Sequence, residues 1–386
     1  MTEQTAPAPA ATTTRKPGGR AVAIDALKGL IMVVMALDHV RSFFMKWDGV
    51  KEIWYVPATY NPEFWNFWAR YISHLAAPGF FFLMGMGMVL MRNSRLKAGW
   101  ENSKVVRNLV IRGLILVALQ FTLEDAAWAM RSGNVARFLA TGVLSTLGLA
   151  MVFSAFALRF RAWGMVALGV ALLIGNQVAV LALDMNKEGL GLAQFLLVYA
   201  GAWGPVKVNY PLIPWLGVTL LGMAYGVYWA ADSDRCYRQT LWGGLALIGL
   251  FVLMRMMPDG IWNLRQATDG TFFGFMQATK YPPSLSWLAL TLGANAIILW
   301  LFWKGESLVS GMGKVLLDYG RSPLFFYVLH LHLYGTMSLF VFNKHTEIAS
   351  AAAVWWLVGL AILWPACRYY GRFKGSTHPD SVWRFF

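Results

Sequence analysis

Charge is scarce in this chain. Asp, Glu, Lys and Arg make up 13% of its 386 residues, while hydrophobic residues reach 58%. A soluble domain of this length carries roughly twice that charged fraction, so a water-exposed surface all round is excluded. Cysteine is nearly absent. Cys236 and Cys367 are too few for a disulfide framework and too far apart in sequence for a metal motif. There is no GxSxG, no Walker A loop, no GxGxxG and no Cys/His metal pattern, so the hydrolase, nucleotide and metal classes that announce themselves by such motifs lack support. No internal repeat of the kind that marks many secondary transporters is evident.

What is abundant is apolar and aromatic. Nineteen Trp and 25 Phe suit a bilayer as solvent. In hydrocarbon every backbone N–H and C=O must pair internally, which leaves helices or a closed barrel. The apolar runs are about twenty residues long and do not alternate with polar ones, which selects helices. Ten segments have the length and character to span: roughly 22–44, 71–91, 105–123, 138–158, 162–183, 211–231, 239–257, 283–303, 323–343 and 351–370. The apolar stretch 190–201 is half a span and reads as interfacial or re-entrant. Residues 1–20 are rich in Ala, Thr and Pro and read as a disordered tail. Residues 21–386 then form a single all-α, polytopic domain.

The formal net charge is +14. The Lys and Arg residues fall mainly in short loops, without basic arms interleaved with aromatics, so the charge reads as membrane topology and not as nucleic-acid binding. Counted on alternate sides, the larger basic set falls on the side of the N-terminus, which gives ten spans with both termini inside. Arg112 lies within the third span. The longest outside loops, 45–70, 184–210 and 258–282, are rich in Trp, Tyr, Pro and Asn. They read either as an interfacial aromatic belt or as a vestibule for a sugar-like substrate, since aromatic faces stack on sugar rings.

Ionisable residues inside spans are costly and usually face a bundle interior or a wet cavity. Asp38, His39 and Arg41 stand at the outer end of the first span. Asp38 and Arg41 are at i, i+3 and share a face. Adjacent helical positions point about 100° apart, so Asp38 and His39 flank one spot without both facing it. An interfacial ion pair with a packed histidine is the plain alternative. The second span runs inward, which puts His74 at the outer face too. Pro78, four residues on, cannot bond to the His74 carbonyl and clashes with it, so the chain should distort there. A tight pairing of the first two spans would bring His39 and His74 to one level as an acid–base site.

In the ninth span Ser322 reads as N-cap and Pro323 as the first helical residue. His330 and His332 are i, i+2, about 200° apart on a helix, and cannot chelate one metal from one face. Either can equally be a satisfied buried histidine. Gly222 and Gly226 form GxxxG, which permits close helix packing and a homodimer.

Four stretches carry a family resemblance: RAVAIDALKGLIMVVMALDHVRSFF (20–44), WARYISHLAAPGFFFLMG (68–85), NYPLIPWLGVTLLGMAYG (209–226) and YGRSPLFFYVLHLHLYG (319–335). They resemble the bacterial DUF1624 proteins, which are similar to the catalytic domain of heparan-alpha-glucosaminide N-acetyltransferase. The wider group of transmembrane acyltransferases includes YeiB-like and acyltransferase-3 proteins. The resemblance implies a multi-pass protein of the bacterial inner membrane. It implies transfer of an acetyl group from cytosolic acetyl-CoA to a sugar or similar small acceptor at the outer face, without a metal. The family's first-span catalytic position falls on His39. Its loop histidine has no counterpart, because residues 45–70 contain no His.

On that reading His39 is the base, oriented by Asp38 or by a group on another helix. His74 is a second base or polarises the thioester carbonyl. His330 or His332 lines the donor's route. Arg92, Arg95, Lys97, Arg107, Arg112, Arg159 and Arg321 are candidates for the CoA phosphates, Arg being suited to bidentate contacts, although positive-inside topology accounts for the same residues. A carrier or permease would use the same buried polar groups as a substrate or proton path. A structural membrane partner would use them for neither purpose.

Overall fold

The computed structural model describes residues 22–45, 52–54, 64–132, 139–182, 189–257, 262–264, 270–341, 349–378 and 381–384. The tail expected over 1–20 lies outside the described residues, as do Trp47, Tyr55 and Tyr60 of the aromatic loop.

The apolar runs form helices, as the need to pair every backbone group demands. They are α1 (Val22–Phe44), α2 (Phe64–Ser73), α3 (Ala76–Lys97), α4 (Asn102–Leu119), α5 (Asp125–Ser132), α6 (Val143–Ala157), α7 (Ala162–Ala182), α8 (Leu192–Leu197), α9 (Leu212–Ala231), α10 (Ser233–Met256), α11 (Phe272–Met276), α12 (Leu285–Lys304), α13 (Glu306–Gly311), α14 (Lys314–Arg321), α15 (Pro323–Val341) and α16 (Ala349–Ser376). A π-helical turn, Gln120–Glu124, joins α4 to α5. Side-chain caps fix several starts. Asp232 accepts from the Arg235 N–H at α10, and Ser284 accepts from the Trp287 N–H at α12. Ser322 precedes α15 and its carbonyl accepts the Phe326 N–H. Its hydroxyl finds no hydrogen-bond partner, so the expected side-chain cap is not made.

Among the described residues, seven helices are long and apolar enough to cross a membrane: 64–97, 102–130, 162–182, 212–231, 233–256, 285–304 and 352–376. The helix α1 is long enough but carries Asp25, Lys28, Asp38 and Arg41. The apolar α6 has 15 residues. Its place in the bundle explains why α1 tolerates its charges. It packs against α2, α3, α12, α13, α14, α15 and α16, so its polar groups meet protein and not lipid.

Backbone contacts are tight where glycine permits. A Cβ on Gly222 would run into the Phe82 carbonyl, and one on Gly85 into the Thr219 carbonyl. The GxxxG pair Gly222 and Gly226 is therefore used within the chain, between α3 and α9. It is covered there, and the motif gives no support to a homodimer.

The all-α expectation omitted one feature, a small sheet. Strand β1 (Leu139–Thr141) pairs in parallel with β3 (Val206–Val208), and β2 (Gly201–Trp203) pairs antiparallel to β3. The stretch 190–201 is indeed not a span: it holds the six-residue α8 and leads into β2. After β3 the Asn209 N–H bonds the Thr141 carbonyl, which fixes the approach of Tyr210 to the site described next.

Candidate active site

The site starts from a broken helix. Helix α2 ends at Ser73 and α3 begins at Ala76, so the break falls at His74 and Leu75, one turn before Pro78. Proline removes the bond that would have held the His74 carbonyl. The Leu75 carbonyl accepts both the Gly79 N–H and, at 3.0 Å, the Asn295 amide of α12. The break turns Arg70 and His74 inward, towards α1 and the segment 52–54.

There Arg70 holds two carboxylates. One terminal nitrogen donates to both oxygens of Asp38, at 2.6 and 2.7 Å. Its Nε and other terminal nitrogen donate to Glu52 at 3.1 and 2.5 Å. His74 Nε2 lies 2.7 Å from Glu52 Oε1, and a carboxylate only accepts, so Nε2 carries the proton. The Arg41–Asp38 pair expected from i, i+3 spacing is present at 3.7 Å, but the contact with Arg70 is much the shorter. Burial alone would raise the Glu52 carboxyl, yet Arg70 and His74 hold it well below the usual carboxylate range. The segment of Glu52 is itself tied down. Its carbonyl accepts the Lys280 and Tyr281 N–H groups, and Trp54 N–H donates to the Tyr281 carbonyl.

His39 belongs to a different network. Its Nδ1 lies 2.7 Å from His330 Nε2 on α15. His330 is fully buried, and its Nδ1 lies 3.0 Å from the Phe326 carbonyl. A carbonyl only accepts, so His330 Nδ1 carries a proton. In neutral His330 the Nε2 is then a lone pair, and His39 Nδ1–H must be the donor. The tautomer of His39 follows: Nε2 is unprotonated. It makes no other hydrogen bond among the described residues. The ring lines a narrow cleft with Asp38, Ser73, Tyr210, Lys280 and Tyr327.

His39 and His74, expected as a pair, thus sit in separate networks. His74 is buried against Glu52 and does not line the cleft. His330, expected along a donor route, is fully enclosed, with one ring nitrogen against His39 and the other against the Phe326 carbonyl. His332 lines a smaller gap, too narrow for a water molecule, with Glu124 and Tyr327. Its Nδ1 bonds the Val328 carbonyl at 2.9 Å. Glu124 ends the π-helical turn, the kind of irregularity often found at functional sites, and its Oε2 is buried without a hydrogen-bond partner. Tyr327 lines both the cleft and this gap.

A protein-family model described as the catalytic domain of heparan-alpha-glucosaminide N-acetyltransferase matches residues 20–256. The chain belongs to that family. Membership brings a membrane-acyltransferase type of function. No curated protein matches the chain. The matched region holds Asp38, His39, Arg70, His74 and Glu124, whereas Lys280, Tyr327, His330 and His332 lie beyond it.

The arginines proposed for a donor's phosphates are dispersed. Arg92 bonds Asn102 at 2.9 Å, Arg95 stacks over Trp100, and Arg112 bonds Asn108 and the Arg384 carbonyl. With Arg107, which is exposed on α4, they surround the turn from α3 to α4. Arg159 lies over Phe160 at the end of α6. Arg321 stands near Asp25 and Asp318 at the start of α1, so neighbouring carboxylates offset its charge.

Four residues in or beside the site are not singled out as candidates by the sequence: Glu52, Arg70, Lys280 and Glu124. Arg70 and Lys280 look like ordinary loop cations, and Glu52 sits amid interfacial aromatics. Glu124 offered a signal, being an acid placed directly after an apolar span.

Proposed function

We propose that this protein transfers an acetyl group from acetyl-CoA to an amine or hydroxyl of a sugar-type acceptor. The donor enters from the cytoplasmic side and the acceptor from the outer face of a bacterial inner membrane. The bundle crosses ten times with both termini inside, α1, α6 and α15 joining the seven apolar crossings. The observation that carries this reading is the contact of His39 Nδ1 with His330, which leaves Nε2 unprotonated on a ring that lines the cleft, in a chain of this family.

The chemistry follows from the tautomer. His39 Nε2 takes a proton from the attacking acceptor as its lone pair bonds the thioester carbon. The imidazolium so formed lies beside Asp38, whose charge stabilises it. When the tetrahedral intermediate collapses, the C–S bond breaks and the CoA sulfur leaves with that proton. His330 fixes the ring, and Arg70 holds Asp38 in place. His74 is a positioning residue: through Glu52 it sets Arg70. The end of the bundle near Asp25 and Arg321 lies 14 residues from His39 along α1, about 21 Å at 1.5 Å per residue. The arm of acetyl-CoA must cover that span if Arg92, Arg95, Arg107, Arg112 and Arg159 hold its phosphates. His332 and Glu124 line the adjoining gap beside Tyr327.

Thermal unfolding of detergent-purified protein tests donor binding. A ligand at a hundred times its dissociation constant stabilises the native state by about 2.7 kcal/mol. Saturable stabilisation by acetyl-CoA, retained in His39→Ala while CoA release is lost, is the expected result. No stabilisation and no CoA release from the wild type would overturn the reading. Uptake of a sugar into proteoliposomes without acetyl-CoA would favour a carrier instead.

A further inference from the structure

The cleft holds a cation that the proton-transfer scheme does not use. Lys280 is 4% exposed and lines the cleft with His39 and Asp38. Its backbone is pinned, because its N–H donates to the Glu52 carbonyl at 3.1 Å and the next residue, Tyr281, bridges to Ile53. The ammonium is less well served. It lies 5.1 Å from the centroid of the Tyr281 ring, and no carboxylate among the described residues comes within 4.0 Å of it. The two acids of the site, Asp38 and Glu52, make their close contacts with Arg70.

Asp38 and Glu52 act on the ammonium electrostatically, but from beyond contact distance and while held by Arg70, so its own hydrogen-bonding capacity is left for another acceptor. The fold anchors its backbone and places it in the cleft beside the base. A cation in that position fits an anion that the resting protein does not contain. During acyl transfer such a charge arises once, on the former thioester oxygen of the tetrahedral intermediate.

We infer that Lys280 is the oxyanion donor of this site. The inference rests on the acyltransferase reading above. As the acceptor's lone pair bonds the thioester carbon and its proton passes to His39 Nε2, the C=O π pair moves onto oxygen. The Lys280 ammonium donates a hydrogen bond to that oxygen. When the C=O bond re-forms, the C–S bond breaks and the His39 proton goes to sulfur. Lys280 itself neither gains nor loses a proton. Such a donor, placed where charge develops in a desolvated site, changes kcat and not binding.

The test uses full-length protein in detergent, acetyl-CoA as donor and D-glucosamine as probe acceptor, with CoA release read spectroscopically. Acetyl-CoA hydrolysis serves as the second turnover. Lys280→Met should lower kcat by about 10²–10³-fold, as loss of one oxyanion donor does, with both KM values within about threefold, a shift worth less than one decade of binding. Lys280→Arg should restore part of it. Lys280→Gln provides a second variant should the methionine variant not fold, with thermal unfolding reporting on each. A kcat within threefold of wild type in Lys280→Met or Lys280→Gln overturns the inference. So does a loss confined to the KM for the acceptor, which would make Lys280 a ligand for the acceptor. If His39→Ala is inactive while Lys280→Met is fully active, the acyltransferase reading stands and this inference alone falls. A wild type that releases no CoA in either assay overturns both.

Discussion

His330→Phe tests what sets the protonation state of His39. The ring volume is roughly kept, the Phe326 carbonyl loses a donor, and His39 Nδ1 loses the acceptor now 2.7 Å away. An unsatisfied buried donor costs about 1–3 kcal/mol. His39 relieves that cost by moving its proton to Nε2 or by turning its ring, and either change removes the lone pair from the cleft. At 1.36 kcal/mol per decade, the productive tautomer falls by about 5–150-fold, and kcat should fall with it. The KM for acetyl-CoA should hold, because His330 is fully buried behind His39. The assay is CoA release by purified protein, with thermal unfolding to confirm that the variant is folded. His330→Gln, which keeps an acceptor in the side chain, should recover part of the rate. Asp38→Asn separates the two candidates for orienting the base. A kcat within twofold of wild type in His330→Phe, together with a large loss in Asp38→Asn, would refute the tautomer argument and give the orienting role to Asp38.

Other perturbations follow from the same contacts. Arg70→Met leaves Asp38 and Glu52 as neighbouring buried carboxylates, and breaking a buried pair on one side costs about 3–5 kcal/mol; a clear drop in melting temperature is expected. Glu52 contributes to the pH dependence of this network. Its folded pKa lies below the ordinary value of 4.5, so its stabilisation is complete above 4.5 and is lost as pH falls below it. Melting temperature should hold from pH 7 to 5 and decline under pH 4.5, while Glu52→Gln should melt lower and decline less steeply. Gly85→Leu drives a side chain into the Thr219 carbonyl and should cost at least the 1–3 kcal/mol of ordinary overpacking. Gly222→Leu should likewise reduce the yield of folded protein. A variant that folds normally and changes only its oligomeric state on size exclusion would show that Gly222 serves a dimer instead.

The sequence by itself pointed to the bilayer as solvent and to the long helices. Long apolar runs with little charge admit only helices in a bilayer, because every backbone group must pair locally, and the helices lie close to the segments read from hydropathy. Pro78 marked the break at His74, because the effect of proline on the carbonyl four residues back is local. The costly groups of the first span were legible too, since Asp38, His39 and Arg41 stand out against an apolar background. Their partners were not legible. Helical spacing offered Arg41 to Asp38, and equal depth offered His74 to His39. The structure instead gives Asp38 to Arg70, His74 to Glu52, and His39 to His330, which is 291 residues away. Spacing along one helix fixes which side chains share a face, but not which helix that face meets. Only the packing of α15 against α1 decided which nitrogen of His39 holds the proton. Only the pinning of the 52–54 segment against Lys280 and Tyr281 decided that a loop lysine lies buried beside it.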